Sequence, residues 1–232
     1  MTPVIIKYPV ILVNFKAYRE STGKNALRLA MIAEEVSRET GVNIALAPQF
    51  CDIRLLTEAV SLPIFSQHID PVPFGGFTGC VLPEAVKEAG AVGTLINHSE
   101  KQLRLADIAE IIRRSREVGL LSAVCANNEL VSVAVATLNP DIVSVEPPEL
   151  IGSGVAVSKT QPQLITRTIE GVKRVNQSVH ILCGAGISSG EDVATAIRLG
   201  SEGVLLASGV VKASDPRTVL MNMAKSVISQ RK

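Results

Sequence analysis

The sequence predicts an α/β fold and, within that class, an eightfold (β/α)8 barrel formed by a single domain over residues 1–232. Three observations lead to this prediction. Short apolar runs alternate eight times with helical stretches along the chain. The runs are apolar almost throughout, as is typical of parallel strands buried on both faces. A length of 232 residues holds eight such units in one domain, and a doubly wound sheet is the alternative with the same alternation.

Eight apolar runs rich in β-branched residues are the predicted strands. In order along the chain they cover residues 10–13, 44–47, 64–66, 94–96, 121–125, 142–145, 181–183 and 203–206. Each run is followed by a polar or glycine-containing tail, which predicts that the strand ends there in a loop.

The predicted helices follow these loops. They cover residues 24–40, 51–60, 83–89 and 107–118, then a stretch ending near 138, one beginning at 162, one ending at 199, and 215–229. Glycine follows several of them, as expected where a helix ends. In the first helix the residues predicted to share one apolar face are Leu27, Met31, Ile32 and Val36.

Composition excludes several classes of function. The chain carries 23 basic and 22 acidic residues, so its net charge of +1 favours neither nucleic acid nor a membrane surface as partner. Its four cysteines form no CxxC pair, which argues against a zinc site and against a secreted disulfide framework. No signal-peptide layout and no membrane-spanning apolar run are present. A cytoplasmic protein is therefore predicted.

Three ionisable side chains that are common in catalysis follow predicted strands. Lys16 follows the first strand with Asn14, His98 follows the fourth, and Glu146 follows the sixth. In such barrels the C-terminal strand ends form the active site. A buried carboxylate is costly unless it is used or satisfied. The set favours acid–base catalysis, although an ordinary solvated role stays open for Lys16 taken alone.

Glycine-containing turns follow the last two strands, at 184–186 and 207–209. Phosphate-binding sites recur at these places in (β/α)8 barrels, where backbone N–H groups and a short helix N-terminus face the anion. The spacing of GAGISSG does not match a dinucleotide fingerprint. The predicted ligand is a small phosphorylated molecule.

Five motifs in strand order carry a resemblance to a known family. They are NFK at 14–16, NHSE at 97–100, VEPPELIGSG at 145–154, GAGI at 184–187 and LLASG at 205–209. As an ordered set they resemble the triosephosphate isomerase family from the first strand to the eighth. The resemblance implies a TIM barrel that interconverts D-glyceraldehyde 3-phosphate and dihydroxyacetone phosphate in glycolysis and gluconeogenesis, without cofactor or metal.

The resemblance also implies roles for individual residues. Glu146 is the expected base, and His98 is the expected neutral electrophile that polarises the substrate carbonyl. Lys16 supplies positive charge, Asn14 positions the substrate and the lysine, and Glu100 is a carboxylate expected near that lysine. The residues implied in substrate binding are Asn14, Phe15, Lys16, Ile151, Gly152, Gly184, Gly186, Ala207 and Ser208.

Several positions depart from the bacterial and eukaryotic pattern of that family. Phe15 stands in place of tryptophan, Asn97 in place of glycine, and Pro148 and Glu149 occupy the first hinge of the expected lid. These departures resemble the archaeal branch, which implies a homotetramer, with a dimer as the alternative.

The residues argue against three other functions. An aldolase of this type needs a Schiff-base lysine at the sixth strand, where this chain has Glu146. A metal-dependent epimerase needs several histidine and acidic ligands, and only one histidine is expected at the rim. A barrel that merely binds sugar phosphate or acts as a scaffold needs no base at all.

Overall fold

The computed structural model describes residues 6–150 and 156–230, with only the backbone of Lys159. Eight β-strands are present in that part of the chain. They are β1 (Val10–Asn14), β2 (Asn43–Ala47), β3 (Phe65–Ser66), β4 (Gly93–Ile96), β5 (Leu121–Ala126), β6 (Ile142–Val145), β7 (His180–Gly184) and β8 (Gly203–Leu206). Each lies on the apolar run that predicted it, within one residue at either end.

The strands form one parallel sheet in the order β2-β1-β8-β7-β6-β5-β4-β3. On β1, Leu12 pairs with Ala45 on one side and with Leu205 on the other. The two end strands approach each other through a parallel bridge between Leu46 and Ile64. The sheet is therefore a nearly closed barrel, which confirms the predicted (β/α)8 architecture and rules out the doubly wound alternative.

Helices connect the strands on the outside of the barrel. They are α1 (Lys24–Thr40), α2 (Ile53–Ala59), α3 (Pro83–Glu88), α4 (Leu105–Val118), α5 (Glu129–Ala136), α6 (Val157–Thr160), α7 (Pro162–Val175), α8 (Gly190–Arg198), α9 (Ser208–Val211) and α10 (Pro216–Gln230). In the described part of the chain, none of them is long and apolar enough to cross a membrane.

The predicted apolar face of α1 was wrong in part. Met31 is 53% exposed, and only Val36 of the four predicted residues is fully buried. The buried face is instead made by Leu29 together with several alanines. Small side chains let a helix approach the sheet closely. In α1 the alanines therefore face the sheet, and the larger Met31 faces solvent.

Two apolar cores result from the alternation of side chains along the strands. On β1, Val10 and Leu12 point into the barrel, whereas Ile11 and Val13 pack against the helices. The same alternation carries Asn14 into the barrel mouth at the C-terminal end of β1. The fold thus brings polar strand-end side chains together above an apolar barrel interior.

Candidate active site

A cavity of about 200 Å³ opens at the C-terminal mouth of the barrel. It is lined by Asn14, Lys16, Tyr18, His98, Glu146, Ala185, Gly186, Ile187, Ser188, Leu205, Leu206, Ala207, Ser208 and Gly209. A cavity of this size suits a small molecule. One wall carries polar side chains from the C-terminal end of β1 and from the loops after β1, β4 and β6, and the other wall comes from the turns after β7 and β8.

Glu146 lies directly after β6 and is 6% exposed. Its backbone N–H donates to the carbonyl of Ala126 at 2.8 Å, which extends the pairing of β6 with β5 and fixes the start of the side chain. Burial raises the pKa of the Glu146 carboxyl above its ordinary value. The neighbours that oppose this rise are His98, Cys125, Lys16 and Ser144.

His98 faces Glu146 across the floor of the cavity. Its Nε2 lies 3.8 Å from Oε2 of Glu146. Its Nδ1 accepts a hydrogen bond from the backbone N–H of Glu100 at 3.2 Å. Because a backbone N–H can only donate, this bond assigns a lone pair to Nδ1 and the ring proton to Nε2. With this tautomer the Nε2–H of His98 faces Glu146 and the cavity.

Lys16 adopts a left-handed backbone conformation, with φ +48°, that is uncommon for a residue with a side chain. Its N–H donates to Oδ1 of Asn14 at 2.9 Å, and its carbonyl accepts from the side-chain amides of Gln49 and Gln67 at 3.0 Å each. Its Nζ pairs with Oε1 of Glu100 at 2.8 Å. Four side chains thus hold the conformation that brings the ammonium group to the cavity.

The opposite wall of the cavity is made of backbone. Ala185 and Gly186 both have φ +71°, so the turn after β7 curls around the cavity. The short helix α9 begins at Ser208 on the same side, where its first N–H groups have no partner within the helix. At Gly209 a Cβ would lie 2.8 Å from the carbonyl oxygen of Ile187. Glycine at this position permits α9 to press against the β7 turn.

The structure brings together most of the site residues predicted from the sequence. Asn14, Lys16, His98, Glu146, Gly186, Ala207 and Ser208 line the cavity, and Glu100 contacts the lysine. Phe15 lies fully buried in the core between sheet and helices, and Gly184 packs under Glu146. Neither lines the cavity, so their roles in substrate binding stay predictions. Ile151 and Gly152 lie outside the described residues.

Some supporting residues had no role predicted from the sequence. Gln49 and Gln67 hold the carbonyl of Lys16, and Gln67 also donates to the carbonyl of Ala47 at 2.9 Å. Their position after predicted strands was the available signal. Ser144 gave no such signal, because a lone serine in an apolar run resembles any other strand residue.

A (β/α)8 barrel with a buried carboxyl, an imidazole and a lysine facing a backbone-lined wall at one mouth has the arrangement of a class of enzymes. That class contains the barrel enzymes that move protons on small phosphorylated substrates. Similarity to known proteins narrows the class: a family model described as triosephosphate isomerase matches residues 9–227. The chain belongs to the triosephosphate isomerase family.

Curated relatives agree with this assignment. A protein named triosephosphate isomerase from Methanothermus fervidus is 56% identical over 212 residues, which cover 91% of this chain and 96% of the relative. One of the same name from Methanobacterium bryantii is 52% identical over 219 residues, with 94% and 97% covered. Another, from Methanocaldococcus jannaschii, is 50% identical over 218 residues, with 94% and 100% covered.

Proposed function

We propose that this chain is an isomerase that interconverts D-glyceraldehyde 3-phosphate and dihydroxyacetone phosphate in glycolysis and gluconeogenesis. The observation that carries the proposal is the buried Glu146 carboxyl lying 3.8 Å from Nε2 of His98 at the barrel mouth. The names of the matched relatives support the same reaction. The substrate is a small phosphorylated triose, and neither a cofactor nor a metal takes part in the proposed reaction.

Glu146 is the proposed base. It takes the proton from the carbon next to the substrate carbonyl and returns it to the neighbouring carbon, so that an aldose becomes a ketose. Burial raises the pKa of this carboxyl, and a carboxylate that is costly to keep charged accepts a carbon-bound proton more readily. The electron pair of the broken C–H bond forms a C=C bond and displaces the carbonyl electron pair onto its oxygen, which gives an enediolate. The hydroxyl proton then moves to that oxygen, so that reprotonation of carbon leaves a ketone on one carbon and a hydroxyl on the other.

His98 and Lys16 are proposed to stabilise that oxygen. The Nε2–H of His98 points into the cavity because Nδ1 is occupied by the N–H of Glu100. The ammonium group of Lys16 adds fixed positive charge, and preorganised charge of this kind lowers the barrier most where negative charge develops. Asn14 is proposed to orient the substrate and the backbone of Lys16, while Glu100 orients the lysine side chain.

The phosphate is proposed to lie against the turns after β7 and β8. Gly186, Ala207 and Ser208 line this wall, and a helix N-terminus favours an anion. Phe15 and Gly184 also belong to the proposed substrate-binding residues, and they pack behind the residues that line the cavity. Residues 151 and 152 belong to a proposed lid that excludes water, since an enediolate phosphate exposed to solvent would eliminate phosphate.

The proposal is tested by shortening the base. In a coupled assay, Glu146→Asp is expected to lower kcat by about 10²-fold or more with a small change in KM, because about 1 Å of misplacement can cost that much in proton transfer. The matched control is Glu58→Asp on the exposed surface of α2, which should keep wild-type kinetics. Unchanged turnover in Glu146→Asp contradicts the mechanism.

A single-domain, cytoplasmic homotetramer is part of the proposal, with a dimer as the alternative. Large apolar side chains on the surface of the subunit support association: Phe74 is 73% exposed and Leu130 is 81% exposed. Light scattering on the purified protein is expected to give four times the subunit mass of 24.6 kDa. A mass of one subunit contradicts both assemblies.

A further inference from the structure

Ser144 lies on β6, two residues before Glu146, so the two side chains point to the same interior face of the barrel. Ser144 is 1% exposed. Among the described residues its Oγ has no hydrogen-bond partner of normal geometry, and neither has Oε1 of Glu146. Two buried oxygens, one a potential donor and the other an acceptor, are thus neighbours without another partner.

Gly184 on β7 provides the space that the two groups share. A Cβ at Gly184 would lie 2.2 Å from Cγ and 2.7 Å from Cδ of Glu146, and 3.1 Å from Oγ of Ser144. The carboxyl and the hydroxyl therefore border the same point inside the barrel. Any larger residue at position 184 would separate them or displace the base.

Two other buried serines on strands of the described structure form hydrogen bonds with groups other than Glu146. The hydroxyl of Ser122 on β5 donates to Oδ2 of Asp141 at 2.8 Å. The hydroxyl of Ser66 on β3 donates to the carbonyl of His68. Since buried polar groups are nearly always hydrogen-bonded, the hydroxyl of Ser144 needs a partner, and the Glu146 carboxyl is beside it.

We propose that Ser144 is a positioning residue for the base: its hydroxyl rotates to donate to the Glu146 carboxylate and to accept from the Glu146 carboxylic acid. This inference rests on the proposed role of Glu146 in proton transfer. The substrate C–H bond breaks and an O–H bond forms on Glu146, and then the same proton is given to the neighbouring carbon. Ser144 keeps its own proton throughout and only turns about its C–O bond.

A hydroxyl suits this position because it holds one donor hydrogen and two acceptor lone pairs. The base alternates between two protonation states in every turnover. A backbone N–H in the same place could stabilise only the charged state. The thiol of Cys125 is also close to the carboxyl, but a thiol is a weak donor and a weak acceptor. Ser144 is therefore the neighbour that can form a hydrogen bond with Glu146 in both of its protonation states.

The experiment compares Ser144→Ala with the wild type by two measurements. The ionisation of Glu146 is followed by carboxyl ¹³C NMR without substrate, with the signal assigned by its absence in Glu146→Gln. We expect the pKa of Glu146 to rise in Ser144→Ala, because the hydrogen bond lost by the charged carboxylate is stronger than the one lost by the neutral acid. We expect kcat to fall by about fivefold, the scale of one net hydrogen bond, with KM changed by less than about twofold.

The matched control is Ser122→Ala, which also removes a buried hydroxyl from a barrel strand but lies away from the base. It should leave both the Glu146 titration and kcat as in the wild type. A titration of Ser144→Ala that superimposes on the wild type, or a pKa that falls, overturns the proposal. Because the titration uses no substrate, this failure is distinct from unchanged turnover in Glu146→Asp, which would remove the catalytic role of the base itself.

Discussion

At the end of β6 the carboxyl of Glu146 is buried, and this burial raises its pKa more than the neighbouring groups lower it. The same burial that makes Glu146 a stronger base makes its charged form costly to the fold. A raised native pKa means that the folded state binds the proton more tightly than the unfolded chain does. The contribution of this group to stability is then fully present below the unfolded pKa, about 4.5, and is lost as pH rises through the native pKa.

Replacement of the base should therefore stabilise the protein while removing its activity. We expect Glu146→Gln to raise the free energy of unfolding at neutral pH by about 0.5–2 kcal/mol, the usual scale for a stabilising change at a functional site. The gain should shrink as pH falls toward 4.5, because the wild-type carboxyl becomes increasingly protonated in the folded state. Denaturant unfolding of both proteins across this pH range measures the difference.

The direction of the pH dependence is the decisive feature of that comparison. A gain for Glu146→Gln that grows as the solution is acidified contradicts a raised pKa for the base. The isomerase assay on the same samples should show activity reduced by several orders of magnitude, since a neutral amide cannot take the proton.

At the scale of secondary-structure elements, the cavity wall that is proposed to hold the phosphate depends on how closely α9 approaches the turn after β7. A Cβ at Gly209 would lie 2.8 Å from the carbonyl oxygen of Ile187 and 2.9 Å from Cα of Ser188. Both are backbone atoms of the turn, so they cannot move aside as a flexible side chain would. The close approach aims the N-terminus of α9 and the β7 turn at the same small volume.

Gly209→Ala should move these two elements apart. We expect KM to rise by about tenfold and inhibition by inorganic phosphate to weaken in proportion, because the backbone N–H groups no longer converge on one anion. Gly76→Ala is the matched control, since a Cβ there meets nothing within 4 Å. A variant with unchanged KM and unchanged phosphate inhibition would show that the spacing of α9 does not set anion binding.

At the scale of the whole molecule, closure of the barrel depends on a core that fills the interior from both ends of the sheet. Phe65 on the short strand β3 is fully buried among interior side chains of other strands. It occupies the space beside Gly93, where a Cβ would lie 2.4 Å from its ring. One aromatic ring thus packs the region where β3 contributes only two residues to the sheet.

Truncation of that ring should destabilise the entire barrel. We expect Phe65→Ala to lower the free energy of unfolding by about 3–5 kcal/mol, through lost burial and the cavity left behind. Met31→Ala on the exposed face of α1 should change it by less than about 0.5 kcal/mol. Denaturant unfolding of both variants measures these changes. A decrease in the free energy of unfolding of less than about 1 kcal/mol for Phe65→Ala would contradict the role of the ring in barrel closure.

The sequence by itself determined the architecture, because each strand and helix carries its own local pattern. The parallel strands read as apolar runs buried on both faces, and the helix Lys24–Thr40 was predicted with its observed bounds. Strand order also placed Lys16, His98 and Glu146 at one barrel mouth, since the C-terminal ends of parallel strands share an edge.

Only the tertiary structure decided what surrounds those residues. The amides of Gln49 and Gln67 meet the carbonyl of Lys16 from positions 33 and 51 residues away, and no local pattern encodes such a contact. The exposure of Met31 followed from the close packing of alanines against the sheet. Ser144 can lie next to Glu146 because position 184 on the next strand is a glycine and has no Cβ. Such contacts arise when distant segments close around a shared volume, so they became visible only in the folded chain.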